Sequence, residues 1–421
     1  MSKTGIRRVL SSLAVVIAVL CLSSRLHAQT VSGTILGTVQ DQQGAVIAKA
    51  TVSAKSADTG ITRTAVSDEN GSFRIVSVPA GAYEISTTAP GFKTEVRTGV
   101  QVTVGGEVNV PFSLTVGAVT EKVEVTGEAA QVDVSSSTLA GFVNATTIRE
   151  LPLNGRDWLQ LTLLQPGTSF NTGQNQLDAR HGQRGNGTAI SISGGRVTEN
   201  SFRIDGIVVN DYANAGPGST LRVNMGVDAI REFSVLTNSY STEYGMSSSG
   251  VVNAITKSGT NEYHGGGYYF HRNSALDARN FFDAGTIPAF RRHQYGGYLG
   301  GAVKKDKTFF FGNYESLREV KSLTVSVDTL SPNARKGILC SNPPSCTSTK
   351  QVTVDSRMIP YLPVYPEPNG AVAGDVGKFS YGAPRSGLEH YYVAKMDHYF
   401  SSSTTLSGTY NIRQDRCHRA G

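Results

Sequence analysis

Charge is scarce in this sequence and tryptophan scarcer: 17% of the 421 residues are charged and one is Trp. Wholesale disorder needs more charge and fewer aromatics, so it is excluded. After the first 28 residues no apolar run is long enough to cross a bilayer as a helix, so a membrane location requires a closed barrel. The four cysteines show no Cys/His spacing of a zinc site, and no metal is expected. There is no nucleophile elbow, no His-Glu-x-x-His helix and no paired-carboxylate setting, so an exported hydrolase finds no support. No enzymatic activity and no cofactor are expected.

The formal charge of +6 does not mark a nucleic-acid binder. Lys3, Arg7, Arg8 and Arg25 all fall in the first 28 residues, and removing those four leaves +2. That is too little for a footprint on phosphates, and no nucleic-acid partner is expected. What is abundant is glycine, at 46 residues. With frequent Ser, Thr, Asn and Tyr, this composition suits many short strands joined by turns.

Residues 1–28 read as an export signal. Lys3, Arg7 and Arg8 form the charged start, Val9 to Leu22 is a 14-residue apolar run, and Leu26-His27-Ala28 offers a cleavage site. The alternative, an uncleaved anchor, is opposed by the shortness of the run. Leu20 before Cys21 is wrong for lipoprotein processing. The mature chain is expected to begin at Gln29 and to keep Cys340, Cys346 and Cys417. Cys340 and Cys346 bracket a short loop in a compartment that permits disulfides, and are the candidate pair.

Residues 29–117 read as a small all-β domain. Asp41-Gln42-Gln43-Gly44, Asp68-Glu69-Asn70-Gly71 and Pro79-Ala80-Gly81 are turn signals. They separate period-two segments such as Thr51-Val52-Ser53-Ala54, Ser72-Phe73-Arg74-Ile75 and Tyr83-Glu84-Ile85. About seven strands in so short a stretch imply a β-sandwich. Gly37-Thr38-Val39, Ala50-Thr51-Val52, Thr64 to Phe73 and Pro79 to Tyr83 resemble the carboxypeptidase regulatory-like domain. That resemblance implies a non-catalytic sandwich, grouped with carbohydrate-binding folds, serving as a spacer or as a glycan binder. No clustered aromatic platform is present.

Residues 118–128 form a linker holding the strand-prone run Val119, Thr120, Glu121, Lys122, Val123, Glu124, Val125, Thr126 and Gly127. It is either a last strand of the sandwich or a segment that resembles a TonB box. The second reading implies strand addition to a TonB-like periplasmic energy-coupling protein through main-chain bonds.

Residues 129–258 open with Leu151-Pro152-Leu153-Asn154-Gly155-Arg156-Asp157-Trp158. Leu159, Leu161, Leu163 and Leu164 predict a short amphipathic helix stopped by Pro166. Strand-like pieces follow: Ile190 to Ser193 before Gly194 and Gly195, Ser201 to Ile204 before the hairpin signal at Asp205 and Gly206, Ile230 to Val235, then Tyr244 and Gly245, and Val251 to Lys257 containing Asn253 and Thr256. In order and spacing these landmarks resemble the α+β plug domain of TonB-dependent receptors. The Leu-Pro-Leu-Asn-Gly-Arg-Asp motif after a carboxypeptidase-like sandwich is most similar to the Oar-like subgroup. Ser193 stands where that pattern has Arg, and Glu232-Phe233-Ser234 departs from its Val-Glu-Val. The glycine run from Arg180 to Gly187 lacks the strand, helix and Lys-Ser/Thr context of a phosphate cradle.

From residue 259 the alternation strengthens. Glu262 to Arg272, His293 to Val303, Thr308 to Leu317, His390 to Phe400 and Thr404 to Ile412 read as the first antiparallel strands of an outer-membrane β-barrel, with Tyr and Phe as girdle residues. The alternative is another soluble sandwich. Leu406, Gly408, Tyr410 and Ile412 are expected to face lipid, as are Tyr392, Ala394, Met396 and Phe400. Lys304 to Lys307 reads as a short periplasmic turn, and 318–388 as a long extracellular loop. Five strands are fewer than a barrel needs, so the sequence reads as truncated within 259–421.

The whole is expected to be an outer-membrane TonB-dependent receptor or transporter, exported and embedded in outer-membrane lipid. Its solute is unidentified, with glycan and peptide as candidates. The competing reading is a surface adhesin or carbohydrate binder acting through the sandwich.

Overall fold

The computed structural model describes residues 32–117, 122–126, 139–170, 189–210, 214, 216–218, 224, 226–245, 247–279, 287–343, 346–402 and 404–419. The export signal, the Arg180–Gly187 run and positions 119–121 and 127 lie outside the described residues. Two compact units are formed, one from residues up to Phe142 with Ser201–Val209 and Glu232–Thr256, the other from Val143–Asn200, Asn210–Arg231 and Lys257 onward.

In the first unit, residues 32–114 form β1 (Ser32–Asp41), β2 (Thr51–Ser56), β3 (Thr62–Val66), β4 (Ser72–Pro79), β5 (Gly81–Thr88), β6 (Thr94–Val102), β7 (Glu107–Asn109) and β8 (Phe112–Leu114). Residues Lys122–Thr126 add β9. One sheet holds β4, β1, β7 and β8; the other runs β3-β2-β5-β6-β9. The period-two alternation buries Ile35, Val39, Val52, Ala54, Phe73, Ile75, Ile85 and Phe112 in one core between the sheets. Tyr83 is buried there too, and its hydroxyl donates to the Pro79 carbonyl at 2.8 Å. Asp41 and Asp68 fold the turns the sequence predicts: each Oδ1 accepts two backbone N–H groups, from Gln43 and Ala45 and from Asn70 and Ser72. Gly37 is required by close approach, because a Cβ there would sit 2.2 Å from the Val110 carbonyl oxygen.

The expected seven strands are eight, and nine with β9. The extra count comes from β7 and β8, which pair parallel with successive parts of β1. Val110-Pro111 interrupts what would be one strand, since Pro has no N–H to give the ladder.

A third sheet lies mostly in the same unit. Its strands are β10 (Leu139–Val143), β13 (Ser201–Ile204), β14 (Ile207–Val208), β15 (Ile230–Asn238) and β16 (Val251–Thr256), ordered β10-β15-β16-β13-β14. β16 is buried along its whole length, as its apolar run at the centre of the sheet requires. Asp205 and Gly206 both take positive φ, 50° and 81°, and make the two-residue hairpin expected between β13 and β14.

In the second unit, α1 (Ala145–Glu150) precedes a 3₁₀ segment, Trp158–Leu164, and the short pair β11 (Thr168–Phe170) and β12 (Ile190–Ile192). The amphipathic α-helix expected over Leu159–Leu164 is thus 3₁₀. Asp157 caps its seven residues at one end and Gln165 at the other. Leu159 and Leu161 are buried, while Leu164 is exposed.

The remainder of this unit is a sheet of long antiparallel strands: β17 (His264–Asn273), β18 (Phe290–Lys304), β19 (Thr308–Leu330), β23 (Val376–Tyr399) and β24 (Thr405–Arg419). Short strands β20 (Ile338–Cys340), β21 (Thr349–Gln351) and β22 (Val372–Ala373) lie between β19 and β23. Tight turns at Lys304–Thr308 and Phe400–Thr404 close one end of the sheet, and longer connections lie at the other.

The long loop expected over 318–388 is largely strand. β19 and β23 stay in register from Thr308↔His398 to Leu330↔Val376. Only 331–375 connects them, and Cys340 and Cys346 are disulfide-bonded within it. A tilted barrel strand crosses the hydrocarbon core in about 9–11 residues. The 23 residues of β19 therefore project well beyond it. In this stretch Ser322, Thr324, Ser326 and Asp328 take the parity that faces outward lower down, and Leu323, Val325 and Val327 alternate with them, so the period-two pattern of a strand continues.

Candidate functional site

The sheet of the second unit has two unlike faces. One parity carries Gln294, Asn313, Glu315, Glu319, Glu389, Tyr391 and Asp397, all buried. The other carries Tyr269, Tyr295, Leu299, Tyr392, Met396, Leu406 and Tyr410, all exposed. The inner parity also carries the buried Phe309, Phe311, Leu317 and Val393, but its carboxylates and amides, set against an outer parity of exposed Tyr, Leu and Met, are the arrangement of a barrel wall in a membrane. The outward rows follow register: Leu299, Gly312, Ala394 and Tyr410 form one, and Gly297, Tyr314, Tyr392 and Ile412 the next. The lipid-facing residues expected on β23 and β24 lie on this outer parity.

Against the inner face lies the loop Leu151–Asp157. Asn144 caps α1 by accepting the Thr147 N–H at 2.9 Å, and the Leu151-Pro152 step ends the helix. Arg156 N–H then closes a turn on the Leu153 carbonyl with Gly155 at φ 76°, and Arg156 itself is held at φ 54°. A non-glycine residue in that region is uncommon and persists where its surroundings fix it.

The fixing groups are plain. Arg156 donates to the Asp228 carboxylate, and its Nε lies 3.8 Å from Glu315 Oε1. Its guanidinium sits over the rings of Tyr268 and Phe270, at 4.1 and 4.9 Å from their centroids. Glu315, wholly buried, accepts from Gln294 Nε2 at 2.6 Å and from the Gly226 N–H at 2.8 Å. Gly226 is glycine because Tyr391 lies 2.7 Å from where a Cβ would be, and φ is 105°. Gln294 Nε2 also donates to the Gly155 carbonyl at 3.1 Å, while Arg292 bonds Asn154 Oδ1 at 3.2 Å and Glu319 at 2.8 Å. The loop is thus bound by charge-assisted contacts from β17, β18 and β19, beside a cavity of about 550 Å³.

The residues singled out from sequence divide into groups. Asp205 and Thr256 meet: the carboxylate accepts from the Thr256 N–H and hydroxyl. Tyr244, Gly245 and Asn253 gather around Arg203, whose guanidinium lies 5.2 Å from the Tyr244 ring and within 3.5 Å of the carbonyls of Glu243 and Gly245. Burial raises the Tyr244 phenol above its ordinary pKa, and Glu243 adds to the rise; a hydrogen bond with Asn253 works against it. Gly194 belongs to a turn at φ 76° after β12, with the Gly195 N–H bonded to the Ile192 carbonyl; it is not part of that cluster. Lys257 lies in the second unit, its Nζ 5.0 Å from the Tyr298 ring centroid, and burial lowers its pKa below the ordinary lysine value. Of the box-like segment, Lys122, Val123, Glu124, Val125 and Thr126 are β9, paired parallel with Thr94–Thr98 of β6.

Sequence reasoning used the Leu-Pro-Leu-Asn-Gly-Arg-Asp motif only as a subgroup signature and did not identify Arg156, Asp228, Gln294 and Glu315 as partners. The available signal was parity: Glu315 and Glu319 share a face with Asn313, on the side of the strand that also carries the buried Phe309, Phe311 and Leu317.

Residues 255–420 match the outer membrane beta barrel domain and residues 34–115 the carboxypeptidase regulatory-like domain. The TonB-dependent transporter Oar of Myxococcus xanthus is 28% identical over 324 residues, covering 73% of this chain; the chain spans 29% of that relative's length. Among solved structures, the siderophore receptor PirA from Pseudomonas aeruginosa aligns with 66% of this chain and 42% of its own, at 17% identity and a TM-score of 0.32. The ferric-catecholate import receptor Fiu from E. coli K12 aligns with 68% and 39%, at 12% identity and a TM-score of 0.34. With its inward-polar, outward-apolar wall, this chain is a homologue of the TonB-dependent transporter Oar and joins a carboxypeptidase regulatory-like domain to an outer membrane β-barrel domain.

Proposed function

We propose that the protein built on these domains is an outer-membrane TonB-dependent receptor and transporter for a solute not yet identified, gated by the plug-like segment 129–258. The observation that carries the reading is Arg156. A loop whose cation is bonded to Asp228, lies beside Glu315 and rests on Tyr268 and Phe270 is a loop fastened to the inside of a barrel wall. A gate needs such a fastening, strong enough to hold and made of polar contacts that a pull can break. Unlike a hydrophobic core, these contacts exchange readily for water.

The energy source is proposed to be a TonB-like periplasmic protein acting on the box-like segment. In support, Lys122–Thr126 already lies extended and bonds a sheet edge through its main chain, the kind of bonding that strand addition uses. Engaging a partner edge would replace β6.

Ion conductance of the full-length protein in planar bilayers tests the gate without a known solute. Breaking a buried pair by removing one partner costs about 3–5 kcal/mol. Arg156→Ala should therefore open a leak that the wild type lacks, and Arg156→Lys should open a smaller one. A variant as tight as the wild type would overturn the latch.

A further inference from the structure

Register fixes what lies on the outer wall beyond the apolar band, going away from the tight turns. The row Tyr269, Tyr295, Ser316, His390 and Gln414 is followed by His271, His293, Arg318, Leu388 and Arg416. Arg291, opposite Asn273, stands in the row after that. Three arginines and two histidines thus share the outward parity just past the tyrosines. Arg291, Arg318, Arg416 and His271 are exposed.

The carboxylates at these levels, Glu319, Glu389 and Asp415, have the inward parity, and Asp277 after β17 is bonded to Arg272. Among the described residues neither Arg291 nor Arg318 forms an ion pair. His271 and His293 pack with ring centroids 4.4 Å apart and planes tilted by 35°, and His293 Nδ1 bonds the Tyr269 hydroxyl at 2.7 Å.

We propose that this patch binds phosphate-bearing lipid headgroups of the leaflet at the long-connection end of the barrel. The inference rests on the membrane reading above and adds a partner to it. Neighbouring strands lie about 4.8 Å apart, so His271, His293 and Arg318 span roughly 10 Å, the reach of a single large headgroup. An outward-facing guanidinium at the edge of an apolar band has no protein anion to meet, whereas a headgroup phosphate presents oxygens in the fork geometry that arginine matches. Charge complementarity selects the occupant: five basic groups next to the tyrosines suit an anion held at the depth where acyl chains end. A zwitterionic headgroup carries its own cation and suits the patch less.

The test uses the full chain with vesicles of phosphatidylcholine alone and of equimolar phosphatidylcholine and phosphatidylglycerol. Flotation reads insertion, and native mass spectrometry of protein released in detergent reads retained lipid. The expected result is insertion in both vesicles with preferential retention of phosphatidylglycerol. That preference should fall about five-fold for Arg291→Gln or Arg318→Gln, and further in the double variant. Inorganic phosphate should not displace the lipid, because a free ion lacks the acyl chains that hold it against the wall. Insertion with equal retention of both lipids, a double variant that keeps the preference, or displacement by phosphate would each overturn the lipid site while leaving the barrel reading standing. Failure to float with either vesicle would overturn both.

Discussion

The Asp205 carboxylate accepts two hydrogen bonds from Thr256, one from its N–H at 2.9 Å and one from its hydroxyl at 2.6 Å, across 51 positions of sequence. This pins the β13–β14 hairpin to the end of β16, the strand at the centre of its sheet. Asp205 also holds φ at 50°, which Asp tolerates better than Ala. Asp205→Ala should lower stability by about 2–4 kcal/mol, from the lost acceptor and the left-handed backbone together. Asp205→Asn keeps one acceptor and the backbone tolerance and should cost less. Unfolding midpoints in urea, with the chain in detergent, would measure both. Equal effects would show that the carboxylate is not what matters.

Much of this architecture was legible because turn chemistry and parity are local. Asp205-Gly206 could be read as a hairpin because two consecutive left-handed residues favour those side chains. The strand of Tyr392, Ala394 and Met396 could be read as lipid-facing because the charged Lys395 and Asp397 fall on the other parity. Two kinds of feature were not local. The extension of β19 and β23 beyond Leu317 was hidden by the Pro and Gly of 331–375, although Leu323, Val325 and Val327 alternate with Ser322, Thr324, Ser326 and Asp328. The pairing of Arg156 with Asp228 and Glu315 joins positions far apart in the chain, which no local pattern announces.

β9 is where the proposed partner contact can be tested. Its main chain pairs with β6, and the proposed partner would use the same main chain. Val123→Pro and Val125→Pro each remove one N–H, worth about 1 kcal/mol net. Binding of the isolated periplasmic domain of a TonB-like protein, followed by calorimetry, should weaken about five-fold for each variant. Threonine at the same positions keeps the N–H and should bind as the wild type does. Undiminished binding in both proline variants would remove the box assignment.

Lys257 gives a pH dependence of definite sign. Burial lowers its folded pKa, with Asp228 pulling the other way and Arg149, Arg156 and Arg231 adding to the drop. Between the folded value and the ordinary lysine value the unfolded chain binds the extra proton, so stability rises with pH across that window. Tyr244, whose phenol is raised by burial, gives the opposite slope above the ordinary phenol range. The difference between wild type and Lys257→Met cancels the Tyr244 contribution. That difference should favour the methionine variant most at neutral pH and shrink as the medium becomes alkaline. A difference independent of pH would mean that Lys257 is solvated as in the unfolded chain.

The two ends of the long sheet make a prediction about sidedness. Residues 331–375 top a hairpin of 23 paired residues, while Lys305 and Asp306 sit in a tight turn at the other end. In the proposed receptor the tall end faces out of the cell and the tight turn faces the periplasm. With the remaining thiol removed by Cys417→Ser in every variant, a full-length protein with Ser356→Cys should react with a membrane-impermeant maleimide on intact cells. Lys305→Cys should react only after the outer membrane is permeabilised. Cys340 and Cys346 are bonded to each other and should stay silent in both until a reductant is added. The reverse pattern would invert the barrel and place the box-like segment on the wrong side of the membrane for any periplasmic pull. Equal labelling on intact cells would mean that the outward apolar rows of β18, β19, β23 and β24 do not face lipid at all.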